Sequence, residues 1–344
     1  MRYLYFLLLL GLFACKTEAP PAAPVNLSGT TMGTTYSIIY LDPAQRNYRS
    51  SIDSLLVAIN AEVSTYEPES FISRWNRSPT GVLLRRPLAE EAPHFATNLE
   101  NARRTYEVTK GYFDPTIMPL VNHWGFGYTQ ERLATATDTA VIDSLRRSVG
   151  FADKVVSQGP QQLAKTDPGV QLDFSGNAKG YGVDEVGRLL EKRGIKNYLV
   201  EIGGEVRARG RNAQDSIWTV GINVPDETAD ITDFQAIAKL DNRSIATSGN
   251  YRNHYDVEGE RVSHIINPKT GFPEQRSILS ASVFAEDCMT ADAYATAFMV
   301  MGWEEAFELA RNTPELEAYL VFTNEENELK YLYTVGLEDV FREL

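Results

Sequence analysis

Polar and apolar residues follow two rhythms along this chain, and each rhythm points to an element. Residues 34–40 alternate in character and carry β-branched and aromatic side chains, the pattern of a strand. Ile52, Leu55, Leu56, Ile59 and Val63 then recur every three or four positions, which places them on one face of a helix. A second helix is predicted over 92–109 and stops at Gly111; a third is predicted over 138–148. Residues 170–174 read as a strand that runs into a glycine-bearing turn and then a helix, Ala178–Lys192, closed by Gly194. Strands follow at 197–202, 217–222 and Ile278–Ala285. A helical stretch at 290–301 ends at Gly302, and 319–323 with 329–334 suggest a hairpin near the C-terminus. Strands and helices mix without a regular βαβ order, no fixed period repeats, and no long linker intervenes. The pattern predicts an α+β fold in one compact unit.

The N-terminus breaks both rhythms. After Arg2 an apolar run extends from Tyr3 to Leu10 and on through Leu12 and Phe13. It falls short of the roughly 20 apolar residues a membrane-spanning helix needs and has the size of a signal-peptide core. Leu12-Phe13-Ala14-Cys15 resembles a bacterial lipobox, which predicts a leader over 1–14 and lipid on Cys15. The protein is then exported and held to the cell membrane; a secretory leader that happens to contain a cysteine is the other reading. Residues 15–26, rich in proline and alanine, read as a tether, and 27–344 as the domain. Cys288 is the one cysteine besides Cys15, so neither a disulfide framework nor a cysteine metal cluster is available. It is expected to be a small, half-buried filler.

Charge narrows the function classes. The formal net charge is −13, and −14 once Arg2 leaves with the leader. Such a surface repels phosphate backbones and argues against nucleic-acid binding. A small phosphorylated ligand stays compatible with it, provided a metal ion screens the phosphates.

The chemistry-bearing residues gather in five segments. Thr30-Thr31-Met32-Gly33-Thr34 lets backbone approach a ligand while Met32 covers a flat ring, or is a simple turn before a strand. Ser64-Thr65-Tyr66 brings an aromatic that can stack on a ligand or pack in the core. Gly111-Tyr112-Phe113-Asp114-Pro115-Thr116, with Trp124-Gly125-Phe126-Gly127, makes a rigid aromatic loop able to wall a planar ring. Asp173-Phe174-Ser175-Gly176-Asn177-Ala178-Lys179-Gly180-Tyr181-Gly182 leads into a helix whose first N–H groups can seat a phosphate; it matches neither a P-loop nor GxGxxG. The fifth segment has two parts. Ser263-His264-Ile265-Ile266-Asn267-Pro268 sets a histidine beside a Pro/Gly turn, and Asp292 with Thr296, at i and i+4, projects two hard oxygen donors from one helix face. The rival account makes Thr290 the N-cap and Asp292 a first-turn acid that offsets the helix dipole.

In their order along the chain these segments resemble the ApbE family of FAD:protein FMN transferases. The resemblance runs from about Thr30 to Gly302. It rests on Met32-Gly33-Thr34, Ser64-Thr65-Tyr66, 111–116 with 124–127, Ala178-Lys179-Gly180-Tyr181 with Asp184, Ile202-Gly203-Gly204, Thr247-Ser248-Gly249-Asn250-Tyr251, 263–271 and 291–296. It implies an α+β body of the tandem T-fold kind and FAD as substrate. Met32, Tyr66, Tyr112, Phe113, Asp114, Ser175, Lys179, Tyr181, His264 and Ile265 would line the FAD site. Asp292 and Thr296, with the backbone carbonyl of Ala178, would hold Mg²⁺ against the pyrophosphate. His264 would help deprotonate the acceptor, and Asp292 would be essential to the chemistry. The partner implied is an exported redox protein that receives FMN on a Thr or Ser hydroxyl, with release of AMP. Hydrolysis of FAD, or storage of flavin by a non-catalytic lipoprotein, would use the same pocket. Asn267 stands where the family commonly has Asp; either residue makes the Asx-type bond of a turn.

Overall fold

Eight strands form one antiparallel sheet whose order in space is their order in the chain: β1 (Pro24–Thr31), β2 (Thr34–Leu41), β3 (Tyr198–Ile202), β4 (Glu205–Arg209), β5 (Ser244–Gly249), β6 (Ile278–Ala285), β7 (Glu317–Thr323) and β8 (Leu329–Tyr333). This computed structural model describes residues 23–343 apart from 130–138, 158, 160, 227, 229, 231, 251–253, 258–259, 275–277, 325 and 327. The leader, Cys15, Asp138 and Tyr251 therefore lie outside the described residues. The sheet begins inside the residues predicted as a tether. Pro24 already pairs with Leu41, so the chain is tied into the sheet from that residue rather than after residue 26.

Alternation decides which face each strand buries. Tyr36, Ile38 and Tyr40 of β2, with Tyr198, Val200 and Ile202 of β3, point to the main core beneath the helices. Those helices are α1 (Arg49–Val63), α2 (Pro93–Val108), α3 (Ala178–Lys192) and α4 (Cys288–Met301). Ile52, Leu56, Ile59 and Val63 of α1 are buried as their spacing predicts, each contributing about 1.5–3 kcal/mol of transfer free energy. The opposite face of the sheet is covered by a second, three-stranded sheet from Trp218–Asn223, Phe234–Leu240 and Phe341–Glu343. Val206, Ala208, Ile245, Phe284 and Tyr319 pack against it. The middle strands are thus buried on both faces. Glu205-Val206-Arg207-Ala208-Arg209 does alternate, but its charged positions are buried as well as its apolar ones, and the sequence reading named no strand there.

Three other expectations differ from what is observed. Residues 170–174 do not form a strand; only Gln171 bridges, to Ile117. Side chains supply the partners that a neighbouring strand would: Asn76 receives Leu172 N–H and donates to its carbonyl, and Lys165 Nζ donates to the carbonyl of Val170. Helix α4 begins at Cys288, two residues before its predicted start, because Asp287 is the N-cap and accepts from Thr290 N–H at 2.8 Å. Cys288 is fully buried rather than half-buried.

The meander explains the position of the site. The β1–β2 and β3–β4 turns, the end of β5 and the start of β6 all lie at one end of the sheet. The long excursion between β2 and β3 brings the helices and aromatic loops to that end, and the β5–β6 connection brings residues 263–271.

Candidate functional site

At that end lies a cleft of about 480 Å³. Its floor is made by the first turn of α3 and the middle of α4, which cross closely. A Cβ added to Gly180 would stand 2.3 Å from the Cys288 carbonyl oxygen, so only glycine allows the approach. Gly176, just before α3, is equally constrained: a Cβ there would meet the Phe113 ring at 2.9 Å and the Thr296 methyl at 3.1 Å.

Each helix caps the other. Asn177 precedes α3 but its side chain caps nothing, because its amide donates to the carbonyl of Asn98 and to Asn101. The free N–H of Gly180 is taken instead by Asp292 Oδ2 of α4, at 2.9 Å. In return Asp184 of α3 accepts from the N–H groups of Cys288 and Met289 at the start of α4, both at 3.0 Å. Asp292 therefore does cap a helix, but a different one from its own, and Thr290 caps none: its hydroxyl donates to Asp287.

The second oxygen of Asp292 is left without a hydrogen bond among the described residues. Its nearest charged neighbour is Lys179 Nζ at 3.9 Å, and that ammonium sits on Glu205 Oε1 at 2.9 Å. Glu205, 3% exposed, keeps Oε2 buried without a hydrogen bond among the described residues. An orphan acceptor of this kind costs about 1–3 kcal/mol, which a fold tolerates where a ligand is to come. Burial raises the carboxyl pKa of Asp292 and of Glu205, with Lys179 pulling back in both cases. Burial also works against the Lys179 ammonium, but the two acids outweigh it and hold its pKa above the ordinary lysine value. Thr296, one turn on from Asp292, lines the same floor.

The walls are aromatic and aliphatic. Tyr112, Phe113 and Asp114 form one side, and Lys269 Nζ rests 3.2 Å from the centre of the Tyr112 ring. Asp114 faces the cleft, yet its carboxylate is occupied in holding the loop: it accepts from the N–H and hydroxyl of Thr116 and from Phe151 N–H. Its expected role toward a ligand thus reduces to shaping the wall. Thr247, Ser248 and Gly249 of β5 and the segment His264-Ile265-Ile266 form the other side, with the His264 ring edge-on to Phe126. Asn267 closes the turn behind it by accepting from Lys269 N–H, and its amide donates to Glu274, a bond that an ionised carboxylate at this position could not make. Tyr66, 58% exposed, stands at the mouth.

A second hollow of about 790 Å³ adjoins the first and shares Tyr66, Ser175 and Lys179 with it. Met32 and Ala178 line this second hollow. Met32 (φ +50°) and Gly33 (φ +73°) are the two residues of the β1–β2 hairpin, both left-handed as a type I′ turn requires. One expected ligand contact is missing. Tyr181 is 3% exposed, borders neither hollow and hydrogen-bonds His94 Nδ1 at 2.8 Å. It faces away from the cleft because α3 turns that side toward α2.

The free oxygens suit a hard cation such as Mg²⁺, which takes few protein ligands and completes its shell with water and phosphate. No trio of His, Cys, Asp or Glu able to hold a metal unaided occurs among the described residues. A model of the ApbE family matches residues 32–320. The chain belongs to the ApbE family. It is 37% identical to the FAD:protein FMN transferase of Haemophilus influenzae, over 91% of this chain and 89% of that protein. It is also 37% identical to the protein of that description from Vibrio cholerae, over 94% and 91%. Among solved structures, the flavin transferase ApbE from Vibrio cholerae superposes with a TM-score of 0.81 at 34% identity, covering 93% of this chain and all of that one. The apo flavinyl transferase ApbE of Pseudomonas stutzeri gives 0.78 at 28% identity, covering 94% and 100%. As a member of the ApbE family this chain is a transferase. Its cleft brings together ten residues expected there: Tyr66, Tyr112, Phe113, Asp114, Ser175, Lys179, His264, Ile265, Asp292 and Thr296. Sequence reasoning passed over Glu205 as a residue with chemistry of its own; a charged residue directly after a Gly-Gly turn was the available signal.

Proposed function

We propose that the protein transfers the FMN half of FAD to a Thr or Ser hydroxyl of an exported redox protein, releasing AMP. The observation that carries this reading is the unfilled oxygen of Asp292, set beside Thr296 on the floor of the first hollow and 3.9 Å from Lys179, which borders both hollows. A dinucleotide lying across both hollows has its pyrophosphate at their junction, near Lys179 and the start of α3. There the Lys179 ammonium, which borders both hollows, meets negative charge. Flat walls at Tyr112, Phe113 and Tyr66 hold the ring systems. His264 lies on the cleft wall, placed to take the proton of the acceptor hydroxyl. That oxygen bonds to the FMN-side phosphorus, the bond to the AMP oxygen breaks, and AMP leaves with the pair of electrons. Mg²⁺ held by Asp292, Thr296 and the Ala178 carbonyl would supply charge neutralisation to the phosphates. This also suits a chain of net charge −13 that must bind an anionic substrate.

The same reading places the protein outside the cytoplasm on a lipid anchor at Cys15; Cys15→Ser should then move it from the membrane to the soluble fraction, and an unchanged distribution would remove the anchor. The transfer itself is tested by incubating the protein with FAD, Mg²⁺ and a candidate acceptor and recording intact masses. A gain matching FMN on the acceptor supports it. AMP release with no gain on any acceptor makes the protein a hydrolase instead.

A further inference from the structure

Lys179 and Glu205 have an arrangement that cation binding alone does not require. Asp292 and Glu205 are both almost fully buried, and a single ammonium serves them unequally, 2.9 Å from one and 3.9 Å from the other. Lys179 also borders both hollows, so its head can reach a ligand at their junction without leaving Glu205. Glu205 lines the same cleft, and its Oε2 is buried without a hydrogen bond among the described residues. A point charge on a flexible stem is suited to such a shift, as a rigid guanidinium would not be.

We propose that Lys179 is the resident counter-ion of Asp292 while the cleft is unliganded, and that Glu205 is the positioning residue that draws the ammonium aside, so that a divalent cation enters together with the substrate's phosphates rather than before them. The inference rests on the reading of Asp292 as a cation seat. Free cation meets a seat already offset by positive charge; an arriving pyrophosphate attracts the ammonium, lowers its hold on Asp292 and brings negative charge of its own. Unlike charges about 4 Å apart in a partly buried site interact strongly enough for this exchange to be decisive. Glu205 prevents the lysine from settling fully on Asp292.

The test uses Mn²⁺ as probe, titrated by electron paramagnetic resonance into the full-length protein without flavin. Lys179→Met should bind Mn²⁺ at least about tenfold more tightly than wild type. Glu205→Gln should bind it several-fold more weakly, and this weakening should shrink when Lys179 is already Met. Lys179→Gln replaces Lys179→Met if the latter does not give a native near-ultraviolet circular dichroism spectrum. Equal or weaker Mn²⁺ binding in a folded Lys179 variant overturns the counter-ion role. An equal effect of Glu205→Gln in both backgrounds overturns the positioning role, since Glu205 would then act by its own charge. If Asp292→Asn leaves Mn²⁺ binding to the Lys179 variant intact, the seat itself is wrong, a failure separate from either.

Discussion

Asp184 and Asp292 occupy matching places on two helices that cap one another, and only one of them is fully satisfied. Asp184 accepts from two N–H groups of α4 and from Arg207 at 2.6 Å, while Arg207 also reaches the Tyr198 hydroxyl. Both carboxylate oxygens are in use, and Asp184 is fully buried. Asp292 accepts one N–H of α3 and turns its other oxygen to a cleft, beside a lysine that leans toward Glu205. The same residue type, in the same capping role, serves the fold where its valences close and chemistry where one stays open.

The comparison predicts opposite responses to substitution. Asp184→Ala leaves the Arg207 guanidinium buried with its main partner gone, and should lower unfolding free energy by about 3–5 kcal/mol in a urea titration. A loss below about 1 kcal/mol would erase the contrast. Thr296→Val keeps the shape of the floor and removes one hydroxyl donor. It should raise the Mg²⁺ concentration needed for half-maximal transfer by about tenfold while changing stability by less than about 1 kcal/mol. An unchanged Mg²⁺ requirement would take Thr296 off the site. The smallest effect lies away from both clusters. Asp42 is held at a pKa of about 2 chiefly by its bond to Arg46. That is below the unfolded value near 3.9, so the stability it supplies is present above pH 4 and lost as pH falls toward 2. Asp42→Asn should flatten the stability curve over that window only; the same acid limb in the variant would discount the pair.

The helices were legible because apolar spacing is local: Ile52, Leu56, Ile59 and Val63 are buried together because one helix face carries them. The meander was not, because β2 and β3 pair across the whole excursion from residue 42 to 197, and nothing in either strand names its neighbour. The candidate site was read through short motifs, and most of them converge. The exceptions are physical. Tyr181 shares a motif with Lys179 but points to the other side of α3, toward His94. The rival account of Asp292 had it offset its own helix dipole; it stabilises instead the N-terminus of a helix more than a hundred residues earlier, which only the tertiary crossing at Gly180 determines. Glu205 stayed hidden because a charged residue in a short strand reads as solvent-facing, whereas here it is buried against Lys179 across the sheet–helix packing.

The account's central claim is that the open oxygen of Asp292 exists for the transfer and not for the fold. Asp292→Asn keeps an acceptor for Gly180 N–H and removes the charge. Intact mass of an acceptor incubated with this variant, FAD and Mg²⁺ should show a rate of FMN attachment at least about 10²–10³-fold below wild type, in protein whose unfolding midpoint is unchanged. Attachment at the wild-type rate would contradict it.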